Sequence, residues 1–129
     1  MGQQFLIDSN IVIDYLDGKL PLTGMSFMND VINAIPNISI ITKIEVLGYK
    51  PPEHTYTLLT EFANAAIVFD LNEEIVTATI ALRKIRKIKT PDAIIAATAI
   101  VFNLTLLTRN VTDFQNIKGL LVLNPYEVK

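Results

Sequence analysis

The sequence has no cysteine, no tryptophan, one histidine and five glycines in 129 residues. Without cysteine there is no disulfide framework, which fits a reducing, cytoplasmic setting. The lone histidine, His54, lies in a polar helical stretch and reads as solvated, so neither a zinc centre nor a Ser–His or Cys–His nucleophile pair is available. The few glycines form no Walker-type phosphate loop. Long apolar runs are missing too. Ala93 to Ala97 is as long as any, far short of the roughly 20 residues that cross a bilayer, so no membrane segment is expected. Met1-Gly2-Gln3-Gln4-Phe5 has neither the basic segment nor the apolar core of a signal peptide. Charge of one sign is scarce: 11 Lys and Arg against 13 Asp and Glu give a net charge of −2, so there is no general pull toward nucleic acid. What is plentiful is apolar character, 50% hydrophobic against 19% charged, the opposite of a disordered composition. The length suits one compact domain over residues 1–129, burying about two-thirds of its unfolded surface.

The pattern of the chain alternates. Phe5-Leu6-Ile7 and Ile38-Ser39-Ile40-Ile41 are short apolar runs that read as buried parallel strands, each followed by a capped helix. Ser9 or Asn10 is expected to cap a helix over Ile11 to Leu16 that stops at Gly18. Thr42 is expected to cap another through Leu47 that stops at Gly48. Thr23 to Ile35 has helical apolar spacing, Pro51-Pro52 opens a helix through Ala63, and Asn72 to Lys87 reads as a long amphipathic helix. Asp92 to Phe102, opened by Pro91, is apolar nearly all round and must be buried. Ala66 to Phe69, Leu104 to Leu107 and Leu120 to Leu123 supply further strands. The expected fold is a three-layer α/β/α architecture around a mostly parallel sheet of about five strands.

In such sheets ligands bind beyond the carboxyl ends of the strands. Asp8 follows the first strand, Glu45 is expected in the first turn of the helix after the second, and Asp113 lies shortly past the strand ending at Leu107. Asp92 occupies the first turn of the most buried helix. Taken singly, each carboxylate could simply favour a helix dipole, worth about 0.3–1 kcal/mol. Together they need a counter-ion, because like charges about 4 Å apart repel by roughly 4 kcal/mol at an effective dielectric near 20. Oxygen-only ligation suits Mg²⁺ or Mn²⁺. Such ions, held by carboxylates, polarise phosphoryl oxygens and activate water, so phosphodiester hydrolysis is the leading chemistry.

Four blocks, in order, then carry a resemblance: Asp8-Ser9-Asn10-Ile11-Val12-Ile13, Thr42-Lys43-Ile44-Glu45, Lys89-Thr90-Pro91-Asp92-Ala93-Ile94-Ile95-Ala96-Ala97-Thr98-Ala99, and Leu107-Thr108-Arg109-Asn110-Val111-Thr112-Asp113-Phe114. The chain resembles the PIN-domain ribonucleases, and among them the VapC-type toxins of toxin–antitoxin pairs. The likeness spans nearly the whole sequence, including Gly119 to Pro125, while Lys50 to Phe69 carries no functional match. It implies that Asp8, Glu45, Asp92 and Asp113 are the acidic quartet holding Mg²⁺ or Mn²⁺ for RNA cleavage. It implies that Asn10, Thr108 and Asn110 orient those carboxylates or contact the scissile phosphate. Ser9, where threonine is commoner, keeps the hydroxyl. A partner antitoxin and a homodimer are further implications of the resemblance.

Five of the eleven cationic residues, Arg83, Lys84, Arg86, Lys87 and Lys89, fall just before Asp92. They read either as a solvated helix end or, with Arg109, as an RNA-contacting rim. Tyr15, Tyr49, Tyr56 and Tyr126 could stack on bases, but nothing in their spacing says so and core-edge packing is the favoured reading. Met25, Phe27 and Met28 read as core or dimer contact. Two other functions fit parts of the pattern: a non-catalytic PIN-like module binding RNA or a partner, and a small α/β phosphotransfer domain. The intact quartet speaks against the first. Asp8-Ser9-Asn10 lacks the second aspartate of an Asp-x-Asp loop, which speaks against the second.

Overall fold

A computed structural model describes residues 4–129; the leader reading at Met1 to Gln3 falls outside them. Five strands, β1 (Phe5–Ile7), β2 (Asn37–Ser39), β3 (Ile67–Phe69), β4 (Thr105–Leu107) and β5 (Val122–Leu123), form one sheet in the order β3-β2-β1-β4-β5. Every pairing is parallel. Seven helices connect or flank them among the described residues: α1 (Ser9–Leu16), α2 (Leu22–Asn33), α3 (Ile40–Gly48), α4 (Glu53–Ala65), α5 (Glu73–Ile85), α6 (Thr90–Val101) and α7 (Val111–Phe114).

The two-residue side-chain period of the strands divides the core. Leu6 and Leu106 point to one face, where they pack with Leu82 of α5 and Ile95, Ala96 and Ala99 of α6. Ile7 and Leu107 point to the other, against Ile11 and Val12 of α1, Met28 of α2, Val46 of α3 and Leu59 of α4. With both faces covered, these central strands read as apolar runs without alternation. Each fully buried leucine or isoleucine contributes about 1.5–3 kcal/mol of transfer free energy. Helix α6 is buried continuously from Ala93 to Ala99, as its all-round apolar sequence requires. Met28 is fully buried, and Met25 and Phe27 pack against the same core.

Of the boundaries that differ from the sequence expectations, three bear on site residues. Asp8, not Ser9 or Asn10, caps α1, its carboxylate accepting from the Ser9 amide. Ser39, not Thr42, caps α3, accepting from the Ile41 amide at 3.0 Å. The helix therefore begins at Ile40, and Glu45 sits in its second turn rather than its first. Helix α5 ends at Ile85, so Arg86, Lys87 and Lys89 lie on the connection to α6. The apolar run at Ile40-Ile41 suits strand and helix alike; the Ser39 hydroxyl decides it by satisfying a free amide of the first turn.

The chain closes with a 3-10 turn, Pro125–Glu127, which the sequence reading did not anticipate. It packs on α2 at Gly24, where an added Cβ would lie 2.4 Å from the Pro125 carbonyl oxygen. Gly24→Ala is therefore expected to destabilise the protein by about 1–3 kcal/mol, despite the better helix propensity of alanine, because the obstacle is backbone. Chemical denaturation checks this. An unchanged or raised midpoint would mean that the turn moves aside freely.

Candidate acidic active site

The site lies where β1, β2 and β4 end and is assembled around Asp8. That carboxylate is 5% exposed. Its Oδ1 accepts from the Ser9 amide at 2.8 Å. Its Oδ2 accepts from the Thr108 hydroxyl at 2.8 Å and from Asn10 Nδ2 at 3.3 Å. Thr108 is itself fully buried, and its Oγ1 accepts from the Asn110 amide at 3.0 Å. Asn10 Oδ1 in turn accepts from the Arg109 amide at 3.1 Å. The loop after β4 and the start of α1 thus hold Asp8 from two sides.

Glu45 is exposed and accepts from the Ser9 hydroxyl at 2.5 Å. Asp92 is half-buried in the first turn of α6, and Asp113 is exposed on α7. Two of these groups have perturbed acidity. Burial pushes the Asp8 pKa above its ordinary value, with Asp92 and Glu45 adding repulsion against the lowering hydrogen bonds of Thr108 and Ser9. Asp92 is also raised, first by burial and then by Asp113 and Glu45, with Lys89 opposing. The electrostatic coupling brings all four sequence-predicted carboxylates into one field.

The donor set fits a hard divalent cation: it is made only of oxygens, and two members carry a penalty that a cation would remove. The carboxylates do not form a cage by themselves, since among the described residues no three His, Cys, Asp or Glu side chains are gathered into a metal-binding group. Thr42, fully buried one helical turn before Glu45, has a hydroxyl without a partner.

Beside Asp92 and Asp113 opens a cleft of about 640 Å³ whose other walls include Arg83, Arg86, Lys87 and Lys89. The connection carrying them is pinned from both sides. Arg83 Nε donates to the Ile88 carbonyl at 3.2 Å, and Arg86 Nη1 donates to the Gln115 carbonyl at 2.9 Å. Lys84 is exposed but does not line this cleft. Arg109 is not a free rim residue either: its Nη1 donates to Asp14 Oδ2 at 2.7 Å. Asp14 was not singled out in the sequence.

The tyrosines divide in two. Tyr15 and Tyr126 are tied by their hydroxyls to Asn29 and Asp14, whereas Tyr49 and Tyr56 are exposed. His54 is exposed on α4. A second cleft, about 430 Å³ and walled by Phe5, Phe27, Val31, Ile35 and Ile67, lies at the amino ends of the strands, away from the carboxylates. No helix among the described residues is long and apolar enough to cross a membrane.

The family described as PIN domain matches residues 5–120. Among solved structures, this chain is similar to one in a toxin–antitoxin complex from Klebsiella pneumoniae, at 34% identity and a TM-score of 0.75, covering 97% of this chain and 100% of that one. It is similar in fold to a chain of DNA-bound VapBC from Salmonella typhimurium, at 22% identity and TM-score 0.78, with 96% and 99% covered. A VapBC complex from Rickettsia felis, bound to a fragment of promoter DNA, gives 24% identity and TM-score 0.73, with 95% and 98% covered. Comparison with curated proteins gives no match.

Proposed function

The chain belongs to the PIN-domain family, and on that premise we propose that it is a VapC-type toxin, a Mg²⁺- or Mn²⁺-dependent endoribonuclease acting through Asp8, Glu45, Asp92 and Asp113. The observation that carries this reading is that Ser9 bonds both Asp8, through its amide, and Glu45, through its hydroxyl, while Asp92 and Asp113 line one cleft. Burial and the neighbouring carboxylates raise the pKa values of Asp8 and Asp92. A bound divalent ion would polarise the scissile phosphate, lower the pKa of an attacking water and stabilise the leaving oxygen.

The chain's own residues supply orientation. Thr108 and Asn10 fix the Asp8 carboxylate, and Ser9 fixes Glu45. Asn110 acts through its backbone amide on Thr108. The basic wall of the adjoining cleft, with Lys87 and Lys89 exposed on it, supplies the phosphate-facing surface that the net charge of −2 conceals. RNA is the substrate in this reading, cut within the strand.

The reading extends to residues 1–129 as a single nuclease domain working in the cytoplasm, neutralised by a small antitoxin protein and paired as a homodimer. The toxin–antitoxin assembly of the Klebsiella relative supports the antitoxin partner. Exposed apolar residues on helix faces, Ile44 on α3 and Val76 and Ile80 one turn apart on α5, support protein contacts.

Incubating partner-free protein with total RNA and each metal, then mapping the new ends, tests the function. Discrete internal cleavage that weakens steeply between about 50 and 200 mM salt is expected, as for a protein that grips phosphates. RNA retention without new ends would instead make it a binding module.

A further inference from the structure

Asp14 is 4% exposed on α1, six residues after Asp8, and its Oδ2 accepts two hydrogen bonds. One comes from Arg109 Nη1 at 2.7 Å, the other from the Tyr126 hydroxyl at 2.9 Å. Arg109 stands between Thr108, which donates to Asp8, and Asn110, whose amide braces Thr108. Its own amide donates to Asn10 Oδ1, and Asn10 donates to the same Asp8 oxygen as Thr108. Tyr126 belongs to the closing 3-10 turn, which is seated against α2 at Gly24. Three distant parts of the chain therefore meet on one buried carboxylate.

We infer that Asp14, Arg109 and Tyr126 form a clamp that positions the loop after β4, so that Thr108 and Asn10 hold Asp8 in its working orientation. The charge arrangement favours this over a bare stability role. Arg109 remains half exposed, at 50%, against 6% for the Asp14 side chain. An ion pair that existed only to neutralise a buried charge would not need a loop residue whose backbone also grips Asn10. A bidentate-capable guanidinium on a short loop restrains direction as well as distance. The clamp acts on Asp8 through Thr108 and Asn10, which makes Arg109 and Tyr126 positioning residues. Local opening of such a loop is the ordinary alternative to a clamped state, and its equilibrium is what the three side chains set.

This inference rests on the nuclease reading for its kinetic part but not for its structural part, so the test has two arms. In the first, hydrogen exchange is followed at the Arg109 and Asn110 amides. Arg109→Ala and the charge-free double variant Asp14→Leu with Arg109→Met are expected to speed exchange there by about tenfold or more, with the β4 amides unchanged. The double variant leaves no unpaired buried charge, whereas Arg109→Ala alone strands Asp14. Unchanged exchange overturns the clamp whatever the protein cleaves.

In the second arm, Arg109→Ala is expected to lower kcat on RNA by about 10–100-fold, the usual cost of losing an outer partner of a metal-holding carboxylate, with KM little changed. Tyr126→Phe should give a smaller loss of the same kind, and Arg109→Lys a partial rescue. A raised KM with unchanged kcat would overturn the inference and make Arg109 an RNA contact. Normal kcat together with a lowered Tm would overturn it in favour of plain stabilisation. If the wild-type protein cuts no RNA, the function reading fails and the exchange arm alone decides the clamp.

Discussion

Asp8→Asn is expected to abolish RNA cleavage, by more than about a thousand-fold, while relieving the metal-free protein of a stability penalty that grows toward neutral pH. The activity loss should exceed the roughly 10–100-fold cost of changing an outer hydrogen-bond partner such as Thr108, because Asp8 is itself the proposed ion-holding group. The stability gain follows from its raised pKa. Above its ordinary value of 3.8, an unfolded Asp8 is ionised without penalty, whereas the folded one must ionise out of water beside Asp92 and Glu45. Folding therefore binds protons through this group, and stability falls as pH rises from that value through the folded one. Below the ordinary value both states are protonated and the penalty vanishes.

Asparagine keeps the capping oxygen for the Ser9 amide, since Asn and Asp cap equally well, and removes the charge; because its Nδ2 then meets the donors Thr108 and Asn10, the gain is read relative to pH below about 4, where both side chains are neutral. The gain at pH 7 should be about 1–3 kcal/mol, the scale of relieving a buried polar group without full compensation. It should shrink toward zero as pH falls below 4. Thermal melts in chelator across pH 3–8 check the sign. A variant whose stability relative to the wild type does not rise between about pH 4 and 7 would show that the Asp8 charge is compensated in the folded state, and retained cleavage would remove it from the chemistry.

Stability traded for a charged site also explains what could be read from the sequence. Asp8 and Asp92 were legible because each stands at a junction of patterns: an apolar run ending at Ile7 and an apolar helix opening at Pro91. The parallel sheet was legible because its strands are short, apolar and separated by helical spacing. Element boundaries were less so. Ile40 and Ile41 suit either a strand or a helix, and only the Ser39 hydroxyl, which finds the Ile41 amide, resolves them.

Asp14 was invisible for a different reason. Its partners stand 95 and 112 residues later in the chain, so no local period marks it, and a polar residue between Ile13 and Tyr15 reads as solvent-facing. The same long-range pairing ties the Arg109 guanidinium to Asp14, outside the cleft that Arg83, Arg86, Lys87 and Lys89 line. Lys84 does not line the cleft although its neighbour Arg83 does, because consecutive residues of α5 point about 100° apart; the connection after Ile85 supplies the other cations. Charge clustering in sequence identified the neighbourhood; backbone direction decided which cations share the cleft with Asp92 and Asp113.

The same electrostatic penalty that destabilises the metal-free protein makes metal binding measurable without any substrate. Mg²⁺ or Mn²⁺ should stabilise the wild type against unfolding, by about 2.7 kcal/mol when the free ion is a hundredfold above its dissociation constant, because the unfolded chain offers no gathered carboxylates. Asp8→Asn and Asp92→Asn should each lose most of this shift, although both start from a less repulsive apo state. Chelation should stop RNA cleavage, and restoring the ion should return it. The two variants separate a site from general screening: monovalent salt also weakens repulsion among Asp8, Glu45, Asp92 and Asp113, but it would stabilise the wild type only modestly and would not restore cleavage. A wild type that cuts RNA in chelator, or whose melting is indifferent to millimolar divalent ion while it cuts, would show that the carboxylates work without the cation their field invites.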